Sequence, residues 1–231
     1  MKPKRVLIAG SSGMVGGHAL DICLERPDVA RVTSIVRKRT GREHPKLLEV
    51  VHADFLDFSA IVDAFRGHDA CLFCVGVYTG QVPDAEFRRI TVDVTVAFAE
   101  VLRRHSPHVA FCFLSGAGAD PSEKSRMSFA RYKGAAENAL SALGFERLHV
   151  FRPGYIHPVV AREEPNFSYK LMRAVHPVLG WVYPNVGVDS DALARVMVDA
   201  ALSGCEKTVL ENRDIRALVT AGAGAAAPAS D

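Results

Sequence analysis

A glycine-rich turn near the start of the chain has the residue types and the spacing to hold phosphate groups. It follows the apolar run Arg5–Ala9 and precedes a segment with helical spacing. Its three glycines would permit a tight turn, a close approach of the backbone to a pyrophosphate, and close packing of the helix on the strand. Free N–H groups and the positive end of the helix dipole would bind the phosphates, whereas the alternative is a loop that needs glycine only for its turn. The residues predicted to bind are Gly10, Ser11, Ser12, Gly13, Met14, Val15 and Gly16.

A run of basic residues follows the second predicted strand, where a site of this kind selects its nucleotide. In a site that prefers NAD, a carboxylate about 20 positions beyond the glycines binds the ribose hydroxyls. This chain has Arg37, Lys38 and Arg39 there and no carboxylate. A guanidinium can bind a 2′-phosphate through two hydrogen bonds and can stack on adenine. We therefore predict NADP(H), with Arg37 as the main contact and Lys38 or Arg39 assisting, the alternative being a solvated basic turn.

Four further motifs follow along the chain in one order, at Phe113–Asp120, Tyr132–Glu137, Val150–Gly154 and Leu210–Asn212. With these motifs and the Gly-x-x-Gly-x-x-Gly spacing of the first turn, the chain resembles the atypical short-chain dehydrogenase/reductases, particularly NmrA-like and HTATIP2/TIP30-like proteins. The resemblance spans about residues 4–218. The resemblance implies a Rossmann-like fold with a nicotinamide dinucleotide at one sheet edge.

The resemblance assigns catalytic roles to Ser115 and Lys133. In working short-chain reductases a serine orients the substrate carbonyl and a tyrosine transfers the proton, while a lysine four residues later lowers the tyrosine pKa and binds the ribose. Here the position four before Lys133 is Phe129, which has no proton to give. Tyr132, next to the lysine, points about 100° away around the helix. The usual mechanism is therefore incomplete in this chain.

Three hypotheses remain open for the missing tyrosine. Lys133 itself could support a reduction, or Tyr78 or Tyr155 could supply the proton. Both hypotheses predict an NADP-dependent oxidoreductase or epimerase-like enzyme that acts on a small carbonyl or related substrate. The third hypothesis is a redox-sensing or regulatory module without turnover, which would have a protein partner.

The resemblance also places residues from four other segments against the cofactor. Asp54, at the end of the third predicted strand, would accept a hydrogen bond from the adenine amine, while Asp57 is a helix N-cap. The stretch after the fourth strand would lie beneath the nicotinamide-side ribose. The cofactor contacts implied in this way are Asp54, Phe55, Val75, Gly76, Lys133 and Pro153.

The elements that must position these residues alternate between short apolar runs and longer amphipathic segments. Strands without polar alternation indicate a sheet buried on both faces, and strand–helix repetition indicates right-handed parallel crossovers. The sequence therefore predicts a doubly wound parallel α/β sheet. The strand candidates are Arg5–Ala9, Val32–Val36, Leu48–His52, Ala70–Val75, Val109–Leu114 and Leu148–Phe151. The helix candidates are Met14–Glu25, Ala60–Arg66, Phe87–His105, Phe129–Leu143 and Asp191–Leu202.

The length of 231 residues suits one domain, which we place at residues 1–219. Residues 154–184, rich in Pro, Tyr and His, are predicted to form a small cap over the sheet edge. Residues 220–231 are Ala- and Gly-rich without a large apolar side chain, and they are predicted to be a disordered tail.

Composition excludes several classes of protein. The 28 Lys and Arg against 26 Asp and Glu give a net charge of +2, which argues against a nucleic-acid partner. No apolar run of 18 residues is present, so we predict no membrane span. Five cysteines without framework spacing, and no convincing signal peptide, predict a cytoplasmic protein.

Neither a metal site nor a disulfide is predicted. The nine histidines show no pair spaced four apart and no acidic partner pattern. Cys71 and Cys74 have the spacing of a redox pair, but residues three apart on a strand point to opposite faces. We predict that these two thiols are separate and buried.

Overall fold

A computed structural model describes residues 2–159 and 187–225 of the chain. The strands are β1 (Lys4–Ala9), β2 (Val29–Val36), β3 (Leu47–Val51), β4 (Ala70–Phe73), β5 (Ala110–Leu114), β6 (Arg147–Arg152), β7 (Tyr155–His157), β8 (Gly187–Asp189) and β9 (Val209–Glu211). Within the described ranges, seven of them form one sheet in the order β3-β2-β1-β4-β5-β6-β9, and every neighbouring pair is parallel. A separate parallel pair is formed by β7 and β8. The predicted doubly wound α/β fold is confirmed.

The chain reverses its direction of travel across the sheet at β1. From β1 it proceeds outward to β2 and β3, then returns to β4 on the other side of β1 and continues outward to β9. In an open parallel sheet, the crevice beyond the carboxyl ends of the strands at such a reversal is the place where a ligand binds. The glycine turn, directly after β1, lies at this point.

Helices and short helical segments cover the sheet. They are α1 (Met14–Glu25), a 3₁₀ helix (Ser59–Phe65), α2 (Asp84–Arg88), a π-helical turn (Arg89–Asp93), α3 (Val94–His105), α4 (Ser128–Ala142), α5 (Ser190–Ser203) and α6 (Asn212–Ala225). The predicted helix 87–105 is therefore an irregular series that begins three residues earlier, and the predicted helix 60–66 is a 3₁₀ helix.

Alternate residues of each central strand pack on opposite faces of the sheet, which explains the unbroken apolar runs. Val6 and Ile8 of β1 join a core under α1, α5 and α6, whereas Leu7 and Ala9 join a second core under α3 and α4. The second core is rich in phenylalanine, with Phe58, Phe65 and Phe98 in mutual edge contact at centroid distances of 5.0–5.5 Å. Burial of each such ring stabilises the fold by about 1.5–3 kcal/mol.

The C-terminal part differs from the prediction at one place. Residues 220–225, predicted to begin a disordered tail, form the last turns of α6, because alanine favours a helix that Asn212 has already started. Residues 226–231 lie outside the described residues. Of the predicted cap 154–184, residues 160–184 also lie outside them, while Tyr155–His157 pairs with Gly187–Asp189.

Among the residues that the structure describes, no helix combines the length and apolar character needed to cross a membrane.

Candidate nucleotide-binding and active site

The glycine turn is built so that two of its glycines admit no side chain. Gly10 has φ +87°, and a Cβ there would lie 2.6 Å from the Cys74 carbonyl oxygen and 2.9 Å from the nitrogen of Val75. A Cβ on Gly16 would lie 2.2 Å from the carbonyl oxygen of Gly10. The turn therefore fits tightly between α1 and the end of β4, next to the predicted residues Val75 and Gly76.

Hydrogen bonds fix the shape of the turn. The amide of Gly13 donates to the carbonyl of Gly10 at 2.9 Å, and the turn leads into α1 at Met14. The buried hydroxyls of Ser11 and Ser34 lie 2.6 Å apart, which joins the turn to β2. Val15 is buried in the core under α1, so its side chain supports the turn from below.

A cavity of about 830 Å³ opens beside this turn. Ser11, Ser12, Gly13 and Met14 line it on one side, and Arg37, Lys38 and Arg39 line it on the other. The structure thus brings together the two motifs that were predicted to bind the same nucleotide. The lining residues that sequence reasoning missed are Gly17, His18, Asp21, Thr40 and Arg42.

The charge of this cavity is strongly positive. Arg42 is bound to Asp21 by hydrogen bonds of 2.6 and 3.3 Å, and Thr40 is bound to Glu49. In contrast, Arg37, Lys38 and Arg39 are exposed and make no ion pair with any residue of the described ranges. Three cations without a partner carboxylate suit a dianionic phosphate.

The third strand leads to the residues predicted near adenine. Asp54 is exposed and its Oδ1 accepts a hydrogen bond from the amide of Leu56 at 2.9 Å. Phe55 is half-buried with its ring edge-on to Phe58 at 5.6 Å. Neither is among the residues that line the cavity. Asp57 accepts a hydrogen bond from the amide of Ser59, which begins the 3₁₀ helix, and this bond lowers the Asp57 pKa.

Lys133 lies in the middle of α4 with its ammonium group almost fully enclosed. It is 8% exposed, donates to the carbonyl of Leu114 at 2.9 Å, and lies 4.8 Å above the ring of Phe113. Burial lowers its pKa from 10.5 to about 8, and the Glu137 carboxylate opposes this shift only in part. Lys133 therefore stays mostly protonated at neutral pH but can lose its proton at mildly alkaline pH.

Ser115 lies at the carboxyl end of β5 and hydrogen-bonds to a carboxylate that sequence reasoning missed. Its hydroxyl donates to Glu137 of α4, and both residues are 7% exposed. Arg152 of β6 binds the same carboxylate through Nε at 3.1 and 3.2 Å, and binds Glu211 of β9 at 2.9 Å. A hydrogen-bonded network of Ser115, Glu137, Arg152 and Glu211 thus links α4 to β5, β6 and β9. The sequence could have indicated Glu137, because the spacing Lys133-x-x-x-Glu137 places both side chains on one helix face.

Phe129 occupies the position that the resemblance gives to tyrosine, and its ring lies against Gly116. A Cβ on Gly116 would be 2.4 Å from the tip of the ring. Tyr132 points elsewhere, as predicted: its hydroxyl donates to Asp84 at 2.6 Å, and its ring contacts Phe87 edge-on. Neither aromatic residue of this helix turn offers a proton at Ser115.

The remaining predicted residues follow the carboxyl ends of β4 and β6. The carbonyl of Pro153 accepts from the amide of Ala117 at 2.8 Å, which joins the loops after β5 and β6. Tyr78 follows β4 and is exposed, and Tyr155 is the first residue of β7.

The two thiols with redox spacing face opposite cores, as the strand geometry requires. Cys71 belongs to the core under α3 and α4, and Cys74 packs against the other core. Burial raises the pKa of both thiols. In the described part of the chain, no three His, Cys, Asp or Glu side chains are arranged to hold a metal ion.

Known proteins match this chain over most of its length. A family model described as NAD(P)H-binding matches residues 10–203. The protein fmp52, mitochondrial, of Aspergillus clavatus is 30% identical over 215 residues, which cover 88% of this chain and 89% of that protein. The protein HTATIP2 of Rattus norvegicus is 32% identical over 159 residues, or 68% of this chain and 64% of that protein.

Solved structures share the fold. The Bordetella bronchiseptica enzyme WbmH in complex with NAD⁺ aligns with a TM-score of 0.64 at 18% identity, over 99% of this chain and 84% of that one. A UDP-N-acetylglucosamine 4-epimerase from Methanobrevibacter ruminantium aligns with a TM-score of 0.67 at 16% identity, over 91% of this chain and 76% of that one. At these identities the likeness concerns the fold alone.

Proposed function

This chain belongs to the NAD(P)H-binding family of atypical short-chain dehydrogenase/reductases, and on that basis we propose that it is an NADP(H)-dependent oxidoreductase. The observation that carries the choice of NADP(H) is the cavity between the glycine turn and Arg37–Arg39. In support, Arg37, Lys38 and Arg39 make no ion pair within the described ranges, and the carboxylate among the lining residues, Asp21, is bound to Arg42. We propose that these three cations bind the 2′-phosphate of the adenosine ribose.

The chain's residues fit a dinucleotide at the turn itself. Gly10 and Gly16 leave no room for side chains, so the backbone of the turn packs closely between α1 and the end of β4. We propose that amides of this turn other than that of Gly13 bind the pyrophosphate. We propose that residues 10–16, Arg37, Lys38, Asp54, Phe55, Val75, Gly76, Lys133 and Pro153 form the cofactor contacts. NADP(H), when bound, supplies hydride transfer; the protein supplies its orientation and the charge around it.

Replacing Arg37 with alanine should separate the two cofactors. We expect NADPH affinity to fall by about tenfold or more, because a charge-assisted hydrogen bond contributes about 1.5–3 kcal/mol. NADH affinity should stay nearly unchanged, since it has no 2′-phosphate. Isothermal titration calorimetry with both nucleotides measures this.

The matched control is Arg31→Ala, which removes another exposed arginine, one that lies within β2 and does not line the cavity. It should change neither affinity. Tighter binding of NADH than NADPH by the natural protein, or an equal loss of both in Arg37→Ala, would contradict the NADP(H) assignment.

In the catalytic part of the site, we propose that Ser115 contacts the substrate and that Lys133 binds the nicotinamide-side ribose. The ammonium of Lys133 is fixed by the Leu114 carbonyl, and the Ser115 hydroxyl is fixed by Glu137. Both groups are therefore preorganised on rigid elements, as an active site requires. The substrate is a small molecule.

A second candidate is a regulator that binds NADP(H) without turnover, and the observation that favours it is Phe129. The ring lies against Gly116, so the position that the resemblance gives to the proton donor carries no hydroxyl. This form of the protein, a module of NmrA or TIP30 type, would act through a protein partner.

Exchanging Phe129 for tyrosine should supply the proton donor that the resemblance assigns to this position. We expect at least about a tenfold gain in NADPH oxidation with generic carbonyls, since general acid catalysis is typically worth 10²–10⁴-fold and the packed ring must shift to place its hydroxyl. Steady-state absorbance assays measure the gain, with Phe145→Tyr, the same exchange at a half-buried ring against Phe111, as control.

A measurable native turnover that Lys133→Ala abolishes would exclude the regulator.

The compartment stays a prediction. The fungal relatives carry the word mitochondrial in their names, so they lend no support to the cytoplasmic location predicted from the sequence.

A further inference from the structure

The hydrogen bond between Ser115 and Glu137 has only one possible direction. The Glu137 carboxylate accepts from Arg152, through Nε and a terminal nitrogen, and a guanidinium can only donate. Both Glu137 oxygens are therefore acceptors. Ser115 must be the donor in its bond to Glu137.

This direction fixes what the serine can offer to a substrate. A hydroxyl has a single proton and two lone pairs, and here the proton is given to a buried carboxylate. The part of Ser115 Oγ that remains is an acceptor. A ketone oxygen has no proton to donate to it, whereas the hydroxyl of an alcohol has one.

The surroundings of Ser115 offer an apolar surface for the rest of such a molecule. The half-buried ring of Phe129 lies on the adjacent Gly116, and Val77 and Val82 pack in the same cluster. The Lys133 ammonium donates to the Leu114 carbonyl below. An acceptor oxygen beside an aromatic ring therefore characterises this side of the site.

We propose that Glu137 is a positioning residue that holds Ser115 as an acceptor towards the substrate, and that the substrate is an alcohol whose hydroxyl donates to Ser115 while its carbon skeleton lies on Phe129. The inference rests on the proposed NADP(H) site, which places the substrate next to Ser115. It reverses the role that the family resemblance implies for this serine, which is donation to a carbonyl.

The test compares two probes of nearly equal shape, cyclohexanol and cyclohexanone, by calorimetry on the NADP⁺-loaded protein. The ketone cannot react with the oxidised cofactor, and any oxidation of the alcohol would register as NADPH absorbance. We expect the alcohol to bind about fivefold more tightly, which corresponds to one net hydrogen bond.

The variant Glu137→Gln separates positioning from packing. Its amide oxygen can still accept from Arg152, but its NH₂ group then faces Ser115 and donates to it, which frees the serine proton for the substrate. The alcohol preference should fall to parity or reverse towards the ketone. The matched control, Glu211→Gln, removes a carboxylate bound to the same Arg152 without a hydrogen bond to Ser115, and should keep the preference.

Ser115→Ala gives the same information if Glu137→Gln fails to fold, because loss of the acceptor should abolish the preference. Equal or tighter binding of cyclohexanone by the natural protein, binding of neither probe, or an unchanged preference in Glu137→Gln or Ser115→Ala would overturn the inference. Failure of the protein to load NADP⁺ would instead contradict the proposed function.

Discussion

Replacing Gly134 with alanine is expected to destabilise the protein by about 3 kcal/mol or more, the upper part of the range for overpacking. A Cβ at this position would lie 1.8 Å from the carbonyl oxygen of Asp120 and 2.3 Å from its carbonyl carbon. The obstacle is backbone, so no side-chain rotation relieves it. Either α4 or the loop after β5 must move.

The loop has little freedom to move, because Asp120 organises it. Its backbone amide donates to the Ala130 carbonyl at 2.9 Å, and its carboxylate accepts from the amides of Ser122, Lys124 and Ser125. A hydrogen bond from the Ser122 hydroxyl, together with these amides, lowers the pKa of Asp120. The substitution should therefore shift α4 and carry the neighbouring Lys133 away from the Leu114 carbonyl, so that cofactor affinity falls together with stability.

Urea unfolding measures the loss, and Gly222→Ala is the matched control. Gly222 is also in a helix, α6, but nothing lies within 4 Å of a Cβ placed there. Alanine should be neutral or stabilising by up to about 1 kcal/mol at that position. A Gly134→Ala protein as stable as the natural one would show that the contact of α4 with the loop is not tight.

The regular part of the fold could be predicted from local pattern. Helix α1 begins and ends at the predicted residues, Met14 and Glu25, because the glycine turn before it and the apolar stripe within it agree. The strands were recognisable because burial on both faces leaves their sequences largely apolar, most completely in β4 and β5. The π-helical turn Arg89–Asp93 could not be recognised from the sequence, because its extra residue depends on how this turn packs on α4.

The parts of the candidate site that are contiguous in sequence could be predicted. The parts that form by contact between distant segments could not. The glycines and the run Arg37–Arg39 could be recognised because each is contiguous in sequence. Glu137 could be placed on the face of Lys133, but its contact with Ser115, 22 residues earlier, needs α4 to be docked on β5. The pairing of Arg42 with Asp21 likewise joins segments that no periodicity connects.

Lys133→Met is expected to raise stability at neutral pH while it removes function, and these opposite signs identify the role of the lysine. Burial lowers the pKa of Lys133 from 10.5 to about 8. Between those values the unfolded chain binds more protons than the folded one, so stability of the natural protein rises with pH from 8 to 10.5. Below pH 8 the enclosed charge costs about 3 kcal/mol, because a tenfold change in proton affinity corresponds to about 1.4 kcal/mol.

Methionine removes this cost. It also leaves the Leu114 carbonyl without its donor, which destabilises the variant by about 1–2 kcal/mol. The variant should thus be more stable than the natural protein by about 1–2 kcal/mol at pH 7. This advantage should disappear as pH approaches 10.5. Thermal unfolding across pH 7–10.5 measures it, and the exposed Lys124→Met should show no such trend.

Lys133→Met should also lower NADPH affinity by about tenfold or more, because it removes one charged hydrogen bond to the ribose. A lysine that only packed would leave the NADPH affinity unchanged on replacement. Lys133 makes no salt bridge within the described part of the chain, and the cost of enclosing its charge is tolerated where a cation must meet a ligand in a dry site. If Lys133→Met loses stability and keeps its affinity, Lys133 belongs to the core and the proposed active site is wrong.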